Sequence, residues 1–92
     1  MTQREAAVAG EIVRIARDEL GLPGEPPAPD AALASALDSL QLLSLVVAVE
    51  DRFRIAIEDD DAAGTRSLAD LARLVAARAD AALLPSPPEP GP

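Results

Sequence analysis

The sequence has 92 residues, and its 16 acidic and 8 basic residues give a formal net charge of −8. It contains no cysteine and no histidine, which excludes disulfides, thiolate or imidazole metal ligands, cysteine nucleophiles and a serine–histidine relay. The excess of acids disfavours nucleic acids and anionic membranes as partners, and we expect a cytoplasmic, single-domain protein with no membrane span and no metal site.

The first helix is predicted over residues 4–20. Val8, Ile12, Ile15 and Leu20 recur near one helical face, with charged residues opposite. Gly21 stands where a glycine commonly ends a helix. The segment GEPPAPDAALASA, residues 24–36, has three prolines within four positions. Because proline lacks a backbone donor and disfavours helix, this segment is predicted to be a loop.

The second helix, predicted over residues 38–53, has apolar residues on two separate arcs. The arc expected to face the core consists of Leu42, Leu45, Val46, Val49 and Phe53. The other arc, Leu40, Leu43 and Val47, is divided from the first by Ser39 and Glu50. Either both arcs are buried in the bundle, or the second is an exposed patch for a partner or a cargo.

The start of this helix has a capping pattern. Asp38 is a preferred N-cap residue and Gln41 stands at N3, as in a capping box. Ser39 is then the first helical residue, at the positive end of the helix dipole, where a phosphate is favoured. The chain has no histidine to activate this hydroxyl, so Ser39 is either an ordinary first-turn residue or the attachment point of a group.

The remainder of the chain predicts a small all-α bundle. The segment IAI, residues 55–57, is too short for a sheet, and EDDDAAG, residues 58–64, is expected to form one helical turn that Gly64 ends. Its acids lack the spacing of a calcium loop, which favours a solvated helix start. Ser67 and Asp70 predict the capping box of the last helix. The expected fold is a four-helix bundle, with three long helices and one short helix.

The domain is predicted to span residues 4–82. The last residues, 83–92, are predicted to form a disordered proline-rich tail, because PSPPEPGP at 85–92 lacks the apolar residues that a packed core needs.

Several blocks together resemble the acyl carrier protein family. They are Asp38-Ser39-Leu40 before the apolar helix, VEDRF at 49–53, IAI at 55–57, EDDD at 58–61 and SLAD at 67–70. The resemblance covers roughly residues 8–80. In that family a separate transferase loads the serine with 4′-phosphopantetheine, whose thiol then carries acyl groups as thioesters between enzymes. It implies a monomeric carrier, which is not an enzyme.

The resemblance also implies roles for individual residues. Ser39 would be the phosphopantetheine attachment site and Asp38 the helix cap beside it. The residues implied to contact partner enzymes are Leu40, Gln41, Leu43, Ser44, Val47, Glu50 and Asp51. Those implied to form the core or line an acyl cavity are Leu45, Val46, Val49, Phe53, Ile57, Leu68, Leu71 and Val75. The implied partners are a phosphopantetheinyl transferase, an acyl- or aminoacyl-loading enzyme, and downstream synthases or transferases.

The chain departs from the family pattern at several positions. Ser35 and Ala36 stand where a Leu-Gly pair is usual, and Arg54 stands where a glycine follows the phenylalanine. Thr65 replaces an apolar residue that typically helps to close the acyl cavity.

Two further departures bear on the pathway. Gln41 and Ser44 stand where carriers of fatty-acid synthesis usually have acids that attract basic partner enzymes. Their absence favours a discrete carrier of a polyketide, nonribosomal-peptide or similar pathway. The alternatives are a housekeeping carrier of fatty-acid synthesis and, from another class, a helical adaptor that uses the same apolar patch without modification.

Overall fold

The computed structural model describes residues 2–22 and 28–85, and every regular element among them is helical. The elements in chain order are α1 (Gln3–Arg14), a π-helical continuation of α1 (Ile15–Glu19), α2 (Leu33–Ala36), α3 (Ser39–Phe53), α4 (Asp59–Gly64), α5 (Leu68–Arg78) and a 3₁₀ turn (Ala81–Leu83). The predicted all-α class is confirmed. The predicted small helical bundle is confirmed as well, with α2 as an additional short helix.

Both ends of the first helix follow from its sequence. Thr2 and Glu5 form a complete capping box, in which the N–H of Glu5 donates to Thr2 Oγ1 over 3.0 Å and the N–H of Thr2 donates to Glu5 Oε1 over 2.9 Å. At the other end the N–H of Leu20 donates to the carbonyl of Ile15, a π-helical step. Gly21 then takes a φ of 63°, which confirms the predicted glycine stop.

The short helix α2 corrects the predicted loop over residues 24–36. Its first residue, Leu33, is buried, and the Leu33 N–H donates to the carbonyl of Arg66 over 2.8 Å. A second bond of 2.8 Å joins the N–H of Ala69 to the carbonyl of Pro29. These bonds fasten the segment to the start of α5. Tertiary contact, rather than local propensity, therefore produces this helical turn. Residues 24–27 of the predicted loop lie outside the described residues.

The hydrophobic core lies between α1, α3 and α5. Phe53 is fully buried and is among the largest side chains there. The other buried members include Val8, Ile12, Ile15, Leu33, Leu45, Val49, Leu68, Leu71, Ala72 and Val75. Six of the eight residues predicted for the core or cavity are therefore buried. The other two, Val46 and Ile57, are half-buried.

The helix α3 ends in an unusual backbone conformation. Arg54, the C-cap residue, has φ 56° and ψ 45°, in the left-handed region. It is the position at which the resemblance expects glycine. The neighbouring chain is held by Glu50, whose carbonyl accepts from the N–H of Ile55 and whose Oε2 accepts from the N–H of Ile57 over 2.8 Å. These bonds fix the connection from α3 to α4.

The helix α4 is tied to α5 by an ion pair. The two terminal guanidinium nitrogens of Arg78, Nη1 and Nη2, each donate to one carboxylate oxygen of Asp61. This contact lowers the pKa of Asp61 below its ordinary value of 3.8, with a further contribution from the N–H of Glu58, which also donates to Asp61.

The cap of α5 is only half of the predicted box. The N–H of Asp70 donates to Ser67 Oγ over 3.1 Å, as the pattern predicts. The Asp70 carboxylate, however, accepts from the N–H of Arg66 and not from that of Ser67. The reciprocal bond is therefore displaced by one residue.

The C-terminal part of the described chain contacts the bundle. Arg52 Nη1 donates to the carbonyl of Leu83 over 3.1 Å. The same side chain lies against the bundle, since its Nε is 3.5 Å from Glu11 Oε1. Its guanidinium carbon lies 4.9 Å from the centre of the Phe53 ring. Leu84 packs against the core. Residues 86–92 of the predicted tail lie outside the described residues, so the domain boundary and the disorder of the tail stay predictions.

The strained C-cap predicts that Arg54→Gly stabilises the protein. A side chain in the left-handed region costs about 1–2 kcal/mol, and glycine avoids this cost while losing part of the gain to its greater freedom when unfolded. We expect the free energy of unfolding in urea to rise by up to about 1 kcal/mol. The control Arg54→Ala keeps the Cβ atom and should show no such gain. A glycine variant less stable than the alanine variant would contradict the strain argument.

The ion pair predicts a pH-dependent contribution to stability. Because the pKa of Asp61 is depressed in the folded protein, its contribution is present above 3.8 and is lost as the pH falls through the folded-state pKa. The free energies of unfolding of wild type and Asp61→Asn, measured by denaturation, should therefore differ at neutral pH and converge in acid. Asp60→Asn, which removes an exposed acid from the same helical turn, should show a smaller difference. An equal effect of both changes at neutral pH would rule out a special role for the pair.

Candidate functional site

The candidate site is built on the first turn of α3. Asp38 is the N-cap residue, with extended backbone angles, and Ser39 is the first helical residue. The capping box is complete: the N–H of Gln41 donates to Asp38 Oδ1 over 2.7 Å, and the N–H of Asp38 donates to Gln41 Oε1 over 3.0 Å. The predicted cap is confirmed. These two hydrogen bonds fix the backbone at Ser39, the first residue of the helix.

The surroundings of Ser39 suit a phosphate ester. Its side chain is exposed. Among the described residues, no acceptor receives a hydrogen bond from the N–H groups of Ser39 and Leu40. The first turn of α3 contains no acidic residue. An anion on Ser39 Oγ would therefore face two free N–H donors and the positive end of the helix dipole.

The apolar arc beside this serine faces outward. Leu40 is 73% exposed, Leu43 is 60% exposed and Val47 is 54% exposed. On the opposite side of the same helix, Leu45, Val49 and Phe53 are almost fully buried. Of the two arrangements that the sequence allowed, the structure has the exposed patch. We call Leu40, Leu43 and Val47 the apolar stripe of α3.

The polar residues expected to contact partners differ in availability. Gln41 and Ser44 are half-buried, and the side chain of Gln41 belongs to the capping box. Glu50 is half-buried and its carboxylate accepts from the N–H of Ile57. Asp51 alone of the four is exposed. The structural role of Glu50 was not predicted, because its partner is brought near only by the reversal of the chain after Arg54.

Thr65 has a satisfied hydroxyl. It is half-buried, and its Oγ1 donates to the carbonyl of Asp61 over 2.7 Å. The hydroxyl thus closes the end of α4 instead of remaining an unpaired polar group. Threonine hydroxyls often donate to the carbonyl four residues earlier, so this contact is local, although the sequence analysis did not predict it.

The described residues contain neither a metal-holding cluster nor a membrane-spanning helix. Within residues 2–22 and 28–85, no cluster of three or more carboxylate, histidine or cysteine side chains is arranged to hold a metal ion. In that same part of the chain no helix has the length and apolar character needed to cross a membrane.

Comparison with known proteins identifies the family. A family model described as the phosphopantetheine attachment site matches residues 10–75. The chain is 41% identical over 58 residues to an acyl carrier protein of Nitratidesulfovibrio vulgaris strain Miyazaki F, a match that covers 61% of this chain and 76% of the relative. An acyl carrier protein of Syntrophobacter fumaroxidans is 37% identical over 68 residues, which are 72% of this chain and 84% of that protein. No solved structure gives a significant match.

The chain therefore belongs to the acyl carrier protein family. Its prosthetic group is 4′-phosphopantetheine, and it is a carrier rather than an enzyme. As in other carriers of this family, its partners are a phosphopantetheinyl transferase and enzymes that handle acyl groups. The predicted carrier function is confirmed in preference to an unmodified adaptor.

The two faces of α3 predict opposite responses to the same substitution. In Leu43→Asp the new carboxylate remains in water, so the free energy of unfolding should change by less than about 0.5 kcal/mol. In Leu45→Asp, two residues away, a charge enters the core beside Phe53, and we expect a loss of more than about 3 kcal/mol. Circular-dichroism melts of both variants measure the difference. A similar loss in both would show that the stripe is buried in solution.

Proposed function

We propose that this acyl carrier protein holds its phosphopantetheine on Ser39. The observation that carries the proposal is an exposed hydroxyl at the first position of a capped helix, beside two N–H groups without an acceptor among the described residues. Ser39 also lies within the stretch matched by the family model, residues 10–75. When bound, the group supplies the thiol that a chain without cysteine lacks.

The residues around Ser39 position the hydroxyl and do not activate it. Asp38 and Gln41 hold the first turn, and the free N–H groups of Ser39 and Leu40 favour the negative charge of a phosphate ester. Since the chain has no histidine, the proton that leaves Ser39 Oγ passes to a base on the transferase. The carrier contributes geometry and electrostatics to its own modification, and the transferase contributes the acid–base chemistry.

We further propose that partner enzymes contact the face of α3 that continues from Ser39. The apolar stripe supplies the contact area, as exposed leucine and valine side chains commonly do at interfaces. Gln41, Ser44 and Asp51 border it. Glu50 acts indirectly, because its carboxylate holds Ile57.

The pathway proposed is a specialised one, in which acyl or aminoacyl groups are passed between dedicated enzymes of a polyketide-like or nonribosomal-peptide-like pathway. The support is the neutral pair Gln41 and Ser44 at positions where carriers of fatty-acid synthesis usually have acids. A housekeeping role in fatty-acid synthesis is the second candidate, favoured by the identity to bacterial acyl carrier proteins.

The experiment that tests the attachment site is modification in vitro. The protein is incubated with coenzyme A, Mg²⁺ and a broad-specificity phosphopantetheinyl transferase, and its intact mass is measured. We expect wild type to gain a single phosphopantetheine and Ser39→Ala to gain none, with unchanged helicity. The matched controls Ser35→Ala and Ser44→Ala remove the nearest other hydroxyls and should be modified like wild type. Modification of Ser39→Ala would place the attachment site elsewhere.

A further inference from the structure

The chain that leads into the attachment site is held from outside α3. The N–H of Leu33 donates to the carbonyl of Arg66 over 2.8 Å. The carbonyl of Pro29 accepts from the N–H of Ala69, also over 2.8 Å. At the end of α2 the N–H of Leu37 donates to the carbonyl of Leu33 over 2.9 Å. The segment that enters α3 is therefore fastened to the start of α5.

Leu37 is the single residue between α2, which ends at Ala36, and Asp38, the N-cap of α3. Its backbone is extended, with φ −127° and ψ 142°. Its side chain is half-buried and packs against the hydrophobic core, as does that of Leu42. Relative to the N-cap, Leu37 and Leu42 occupy the N′ and N4 positions. These are the two positions of a hydrophobic staple, which fixes the angle at which the chain enters a helix.

The staple supplies a constraint that the capping box lacks. The box joins Asp38 to Gln41 and determines the residue at which the helix begins, but both of its hydrogen bonds lie at the exposed surface. Leu37 instead ties the start of the helix to the core. Because helix ends fray, a hydroxyl on the first helical residue is held accurately only when the chain before it is anchored.

We propose that Leu37 is a positioning residue for the modification of Ser39, an inference that rests on the proposed attachment at Ser39. In the transfer, Ser39 Oγ forms a bond to the phosphorus next to pantetheine in coenzyme A. The pyrophosphate bond breaks, adenosine 3′,5′-bisphosphate leaves, and the serine proton passes to a base on the transferase. Leu37 takes no part in these bonds. It anchors the backbone just before the N-cap, so that the hydroxyl meets the phosphorus in the line of attack.

Misplacement of the hydroxyl and loss of folded protein have different kinetic signatures. Leu37 is half-buried and lies outside the apolar stripe, so its truncation leaves the exposed side chains of α3 in place for docking. A misplaced hydroxyl therefore lowers the maximal rate of transfer and leaves the half-saturating concentration of transferase unchanged. A variant that is merely less stable does the opposite, because only its folded fraction binds the transferase.

The test compares Leu37→Ala with the matched control Leu84→Ala. Leu84 is also half-buried against the core. It follows Leu83, whose carbonyl is bound by Arg52 near the other end of α3. At 1.5 Å per residue, Arg52 lies about 20 Å along the helix from Ser39. The control therefore removes the same side-chain atoms from the core without touching the chain that enters the site.

Single turnovers are followed by intact mass, with coenzyme A saturating and a broad-specificity transferase in increasing excess, at a temperature where circular dichroism shows the variants folded. For Leu37→Ala we expect the maximal rate to fall about tenfold and the half-saturating concentration to change less than about twofold. Leu37→Met, which nearly keeps the side-chain volume, should regain most of the rate. Leu84→Ala should keep the wild-type maximal rate. Leu37→Val, a smaller truncation, replaces the alanine variant if that variant does not fold.

Three results would overturn the inference: a wild-type maximal rate in the folded variant of Leu37, an effect confined to the half-saturating concentration, or an equal loss of maximal rate in Leu84→Ala. The proposed function fails in a different way. If wild type is not modified, or if Ser39→Ala is modified, the attachment site itself is wrong and the inference falls with it. If wild type is modified, Ser39→Ala is not, and truncation of Leu37 has no effect on the maximal rate, the inference alone is refuted.

Discussion

The fixed orientation of α3 about its own axis is the constraint on which the site depends. Leu45, Val49 and Phe53 are buried against the other helices, and together they leave the helix one orientation. Because successive residues of an α-helix are turned by a fixed angle, the direction of every other side chain is then determined. Leu40, Leu43 and Val47 consequently face solvent on the side of Ser39. The core thus defines the site without contacting it.

The ends of α3 are fixed by different means. At its start, Asp38 and Gln41 satisfy each other's backbone groups, so the helix begins at Ser39. At its end the backbone enters the left-handed region at Arg54, and the carboxylate of Glu50 holds the chain that follows. The bonds made by Glu50 offset part of the cost of this conformation. The capping box at Asp38 and the left-handed turn at Arg54 together set the length of the exposed face.

Local patterns in the sequence were sufficient to predict the elements whose causes are local. The cap at Asp38, the glycine stop at Gly21 and the two arcs of α3 all depend on residues within a few positions of one another. The helix α2 could not be predicted in this way, since the N–H of Leu33 bonds to the distant Arg66. The bond from Ile57 to Glu50 was missed because it depends on the left-handed turn at Arg54, which the sequence analysis did not predict. Sequence analysis therefore predicted candidate site residues but not the contacts that occupy the carboxylate of Glu50.

The distribution of charge explains how a small protein tolerates an exposed apolar stripe. Leucine and valine side chains on an open helix favour self-association, whereas a large net charge opposes it. In this chain the acids that produce the charge of −8 lie largely outside α3, for example in the first turn of α4, where Asp59 and Asp60 are exposed. Repulsion between copies can thus act over the whole surface, while the stripe itself stays uncharged. Most of the charge that opposes self-association and the apolar stripe therefore lie on different helices, which suits the docking role that we propose for the stripe.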